Sequence, residues 1–147
     1  MSDYTYTLGS LLSTMIEIEG KVVDFYKNIN SNLDEETKSL FYLYSEEHKG
    51  VKEKMEAVKR ETVIEFTLEA ISGLNLSIHI NKIMETIKAD GLDGGKRAVT
   101  IERELSKLYL SISERVAHMS GEASQLLILA NKKAKRRLDK LEGGIHC

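Results

Sequence analysis

The stretch EGKVVDFYKNI, residues 19–29, returns 83 residues later as ERELSKLYLSI, residues 102–112. Glu19, Val22, Tyr26 and Ile29 stand at offsets 0, 3, 7 and 10, and Glu102, Leu105, Tyr109 and Ile112 repeat them. Offsets of 3 and 4 keep returning to one face of a helix. Leu8, Leu12 and Met15 extend the first stripe upstream and Ala98 extends the second, so each stripe is apolar apart from its glutamate. Each helix therefore turns one carboxylate toward the core. A buried carboxylate must be neutralised by a metal, a basic side chain or a proton.

Working outward, a first helix is expected over about 8–30. Asn32-Leu33-Asp34 reads as a turn, with Asp34 as N-cap and Glu35 and Glu36 in a favourable first turn. A second helix over about 35–61 carries the stripe Phe41, Tyr44, His48, Val51, Met55, Val58. So short a turn makes the pair an antiparallel hairpin. Helices over about 96–119 and 122–142, separated by Ser120-Gly121, form a second hairpin, with Leu127, Ala130, Ala134, Leu138 and Leu141 facing inward. Residues 62–95 form the crossover, read as a helical segment ended by Gly91, Gly94 and Gly95. The alternation Leu74, Leu76, Ile78, Ile80 also fits a strand. Residues 143–147 read as a frayed tail. The whole chain, 1–147, is thus expected to be one all-α domain: two hairpins joined by a long, partly helical crossover.

Composition agrees. Apolar residues make up 41% and charged residues 30%, as in a soluble globular domain. Proline and Trp are absent, which favours long unbroken helices. Net charge is −2, so no overall field draws nucleic acid or an acidic membrane. Cys147 is the only cysteine, which excludes an internal disulfide and fits a cytoplasmic location. MSDYTYTLGS, residues 1–10, has neither a basic region nor a long apolar run, so no signal peptide is expected. No apolar run approaches the ~20 residues needed to span a bilayer.

Phe25-Tyr26 just after Glu19, Tyr109 seven residues after Glu102, and the long crossover make the chain resemble the rubrerythrin branch of the ferritin-like superfamily, from about residue 8 to 142. The resemblance implies a ferritin-like four-helix bundle. In that family the first and third bundle helices each give one Glu to a di-iron site, and the other two each give a Glu-x-x-His pair. Glu19 and Glu102 match the first kind of ligand. The second kind does not match. In helix two the corresponding positions are His48 and Val51, or Glu47 and Gly50 one register earlier. In helix four they are Ala134 and Arg137, or Lys133 and Arg136. The registers His48/Val51 and Ala134/Arg137 keep Met55, Leu138 and Leu141 inside.

A di-iron centre takes about four carboxylates and two imidazoles. Here two carboxylates and one imidazole are in place. Arginine cannot lose its proton to become a ligand, and it repels a dication. It can instead bridge carboxylates with charge-assisted hydrogen bonds. The expectation is therefore an internal cluster of Glu19, Glu102, Arg137 and protonated His48 in place of metal. No cofactor is expected and no catalytic residue is assigned. The chain reads as a non-catalytic binding or structural module. The alternative is an iron or zinc oxidoreductase acting on peroxide or oxygen, with Glu19, Glu102 and His48 as metal ligands.

The remaining features have plainer readings. Tyr26 and Tyr109 are packing residues with hydrogen-bonded hydroxyls. Glu46-Glu47 lies on a solvated face. His79 and His118 lack a ligand-spaced partner. His146-Cys147 sits on the tail. The basic run Lys132, Lys133, Lys135, Arg136, Arg137, Lys140 is a solvated face paired with acids on neighbouring helices. Gly20 and Gly50, within helices, allow close helix contact near the glutamates. A homodimer is expected from the family and from apolar residues outside the inner stripes, Leu11, Ile18, Leu43 and Leu108, with no nucleic-acid or membrane partner.

Overall fold

The computed structural model describes residues 4–29, 33–66, 70–89 and 93–143. Along the chain the elements are β1 (Tyr4–Tyr6), α1 (Leu8–Asn28), α2 (Glu35–Phe66), β2 (Ile71–Leu74), α3 (Ser77–Lys88), α4 (Gly94–Val116) and α5 (Gly121–Gly143). The architecture is a helical bundle of two hairpins, α1–α2 and α4–α5, with α3 packed against α4.

Each long helix starts where the sequence offers a cap. Thr7 and Ser10 form a reciprocal capping box at α1: the Ser10 amide donates to Thr7 Oγ1 at 3.1 Å and the Thr7 amide to Ser10 Oγ at 2.9 Å. The Thr37 amide donates to Asp34 Oδ1 at 2.7 Å, the Gly95 amide to Asp93 Oδ1 at 3.1 Å and the Ala123 amide to Ser120 Oγ at 3.0 Å. Each bond satisfies an amide that the first helical turn leaves unpaired. Gly94 opens α4 against the end of α1. A Cβ there would lie 2.9 Å from Ile29 Cδ1, so a larger residue would require the end of the Ile29 side chain to shift.

The crossover departs from the expected helix. Residues 71–74 are a strand that pairs antiparallel with β1, Tyr4 opposite Leu74 and Tyr6 opposite Ile71. The helix begins only at Ser77, α2 runs on to Phe66, and Gly94 and Gly95 lie in the first turn of α4 rather than ending the crossover. Arg97 anchors α3. Its Nε donates to the Thr86 carbonyl at 3.1 Å and Nη2 to the Ile87 carbonyl at 2.7 Å, at the negative end of the helix, while the guanidinium lies 5.0 Å over the Phe25 ring.

The core combines the four long stripes. Leu12, Met15, Val22, Phe41, Met55, Leu105, Ile112, Val116, Leu127, Ala134 and Leu141 are buried. Full burial of a large aliphatic or aromatic side chain stabilises by ~1.5–3 kcal/mol. Leu11, Ile18 and Leu108 are buried as well, at 1%, 1% and 0% exposure, so the chain itself covers them and they give no argument for a partner. Leu43 alone of the four is exposed. A Cβ at Gly20 would meet only the flexible end of Lys52, and one at Gly50 would meet nothing, so neither glycine serves helix contact. No described helix is long and apolar enough to cross a membrane.

Candidate functional site

Four helices each send one charged or titratable side chain to the bundle centre: Glu19 from α1, His48 from α2, Glu102 from α4 and Arg137 from α5. The first three are fully buried and Arg137 is 2% exposed. His48 lies between the carboxylates. Its Nδ1 is 2.6 Å from Glu19 Oε1 and its Nε2 is 2.8 Å from Glu102 Oε2. Arg137 Nε stands 2.9 Å from Glu102 Oε1, an ion pair without hydrogen-bond alignment, and Nη1 donates to Glu47 Oε1 at 2.8 Å.

Two tyrosines complete the cluster. Tyr26 donates its hydroxyl proton to Glu102 Oε2 at 2.6 Å, and Tyr109 donates to Glu19 Oε2. These bonds cross between the two related stripes, Tyr26 of α1 to the acid of α4 and Tyr109 of α4 to the acid of α1. They therefore set α1 and α4 antiparallel. The Tyr26 ring stacks on His48 at 5.8 Å between centroids and meets Phe41 and Tyr44 edge-on. Arg137 lies 5.9 Å over the Tyr44 ring.

The proton count follows from the partners. Both ring nitrogens of His48 face carboxyl oxygens, and with carboxylates on both sides both nitrogens donate, which is the imidazolium form. Burial pushes the His48 pKa down and the Arg137 charge adds to that, but Glu102 and then Glu19 more than offset both, leaving it above the ordinary 6.5. Burial pushes the Glu102 carboxyl up, but His48 and Arg137 and the hydrogen bonds from His48 and Tyr26 pull it from 4.5 to about 2. Burial and the neighbouring carboxylates hold the Tyr26 and Tyr109 hydroxyls well above 10, which keeps them donors. Tyr44 is raised to about 12, by burial first and Glu102 second. Two carboxylates, one imidazolium and one guanidinium sum to zero charge. Glu47, with its side chain 30% exposed, joins from the rim.

The donor set does not fit a dinuclear metal centre. Val51 and Ala134, the partners of His48 and Arg137 in the registers expected from the sequence, are both buried and apolar and offer no donor. Arg137 places a fixed positive charge beside Glu102. A single ion fares no better: Glu19 and Glu102 lie on opposite edges of the His48 ring, so the three donors do not converge on one point. Among the described residues, no three His, Cys, Asp or Glu side chains are placed to hold a metal ion.

Several contacts lie outside what the sequence suggested. Glu47 is not simply solvated but holds the outer side of Arg137. His79 Nδ1 lies 2.6 Å from Oε1 of Glu104, a largely buried acid on α4 that also meets Lys107 at 3.5 Å. Burial raises the Glu104 pKa, yet the His79 hydrogen bond and the Lys107 charge bring it below the ordinary value. In the basic run only Arg137 is ion-paired among the described residues, so the expected acids on neighbouring helices do not meet the other five cations. His146 and Cys147 lie outside the described residues. No protein-family model, curated protein or solved structure matches this chain.

Proposed function

We propose that this chain is a ferritin-like bundle of rubrerythrin type in which a charge cluster of protein side chains stands where relatives would hold two metals, and that it serves as a non-catalytic binding or structural module. One observation carries this reading: all four oxygens of Glu19 and Glu102 are engaged by protein cations or hydroxyls. The imidazolium occupies the space between the acids that a cation would need. Reactive chemistry requires an open coordination position or a group free to exchange protons with a substrate. In this reading every member of the cluster is buried or committed. What the cluster supplies is specificity of packing: four helices are tied at one level by groups that tolerate no register shift.

Metal analysis tests the proposal. Protein purified from iron-supplemented cells should carry well under one metal ion per chain. Close to two irons per chain, with turnover of peroxide, would overturn it in favour of a rubrerythrin-type oxidoreductase.

A further inference from the structure

A groove of about 460 Å³ runs along the outside of the bundle between α2 and α5. Its floor is apolar: Val51, Val58 and Ala130 are buried, Leu126 is half-buried and Leu129 is 47% exposed. Its rim carries four charges, Lys54 and Glu61 on α2, Lys133 and Glu122 on α5. None of these four makes an ion pair among the described residues.

The placement of those charges is self-complementary. Each hairpin is antiparallel and α1 runs antiparallel to α4, so α2 and α5 are antiparallel too. The Arg137–Glu47 pair fixes their relative level. Lys54 and Glu61 are centred between Ala57 and Val58, and Lys133 and Glu122 between Leu127 and Ile128. Counted from the Arg137–Glu47 pair, the two centres lie at the same level, each about 10 residues or roughly 15 Å along its helix. Both lysines lie on one side of that level and both glutamates on the other. A two-fold axis through the groove centre, perpendicular to the helices, therefore matches both pairs at once. It brings Lys54 to Glu61 of the partner subunit and Lys133 to Glu122 of the partner subunit. It also sets Leu129 against an apolar surface.

We propose that this groove is the interface of a symmetric homodimer. An isologous interface requires that one patch complement itself about a two-fold axis. Here the charge pattern meets that requirement on two helices at a common centre. The inference is independent of the charge cluster and would stand if metal were found there.

Sedimentation equilibrium on the full chain at low salt, across the micromolar range, tests it. Wild type should show a monomer–dimer equilibrium. Leu129→Glu, a substitution at an exposed site, should give monomer with an unchanged helical circular dichroism spectrum. Lys133→Glu should raise the dissociation constant at least ~10-fold, because like charges then face each other across the two-fold axis. The double variant Glu122→Lys/Lys133→Glu should return to within about 3-fold of wild type, because swapping both ends restores the match. A wild type that stays monomeric throughout would overturn the proposal. So would a dimer indifferent to Leu129→Glu or Lys133→Glu, or a double variant no tighter than the Lys133→Glu single.

Discussion

Replacing Arg137 by leucine removes one of the two cations from the bundle centre without emptying its space. In the wild type the guanidinium is 2% exposed and stands 2.9 Å from Glu102, which has no exposure at all. After the change, one imidazolium faces two buried carboxylates. Leucine replaces part of the buried arginine stem, so the lost term is chiefly electrostatic. Removing one partner of a buried ion pair destabilises by ~3–5 kcal/mol. For a chain of this size 1 kcal/mol moves the melting temperature by ~2–4 °C, which gives a drop of roughly 6–20 °C. Glu47 supplies the control. It is partly solvated, glutamine keeps a carbonyl oxygen that can accept from Arg137 Nη1, and Glu102 still balances the guanidinium, so Glu47→Gln should lower stability by only ~0–1 kcal/mol. Thermal melts of wild type, Arg137→Leu and Glu47→Gln, followed by circular dichroism at neutral pH, separate these effects. An Arg137→Leu melt within about 1 °C of wild type would refute the reasoning, because a guanidinium balancing a buried carboxylate cannot be removed so cheaply.

Two further predictions concern protons. His48→Leu leaves Glu19 and Glu102 with Arg137 alone, so one carboxyl must take up a proton in the folded state. Its folded pKa then exceeds its unfolded pKa, and stability is lost as pH rises and regained on acidification. The variant should melt higher at pH 5 than at pH 7; the opposite order contradicts the account. In the wild type, Glu102 is depressed from 4.5 to about 2, so its contribution is present above 4.5 and disappears as pH falls toward 2. His48 is raised above 6.5, so its contribution is fully present below 6.5 and disappears as pH rises through the higher folded value. Melting temperature against pH should therefore be highest between these limits and decline on both sides. A melting temperature that climbs steadily from neutral to alkaline pH would exclude a stabilising imidazolium.

The four helices and the four central residues were legible because both depend on local spacing. Glu19, His48, Glu102 and Arg137 each interrupt an apolar stripe on a single helix, and such a stripe states which face points inward. What the sequence withheld depends on neighbours far along the chain. Glu47 lies about a quarter turn from His48, and nothing local reveals that Arg137, 90 residues away, reaches it. The β1–β2 ribbon joins a three-residue and a four-residue strand across more than 60 residues, too little pattern on either side to register. The alternation that did look like a strand, Leu74 to Ile80, straddles the end of β2 and the start of α3. Leu11, Ile18 and Leu108 form visible second stripes, but a stripe does not say whether its cover is the same chain or another. His79 and Glu104 were missed for the same reason, since α3 meets α4 only in three dimensions.

The most direct measurement is the ¹⁵N spectrum of the His48 side chain in folded protein at neutral pH. The account predicts that Nδ1 and Nε2 both carry protons, and that this doubly protonated state persists above the ordinary histidine pKa. A neutral tautomer with one bare nitrogen, or a nitrogen shifted by a bound metal, would contradict it.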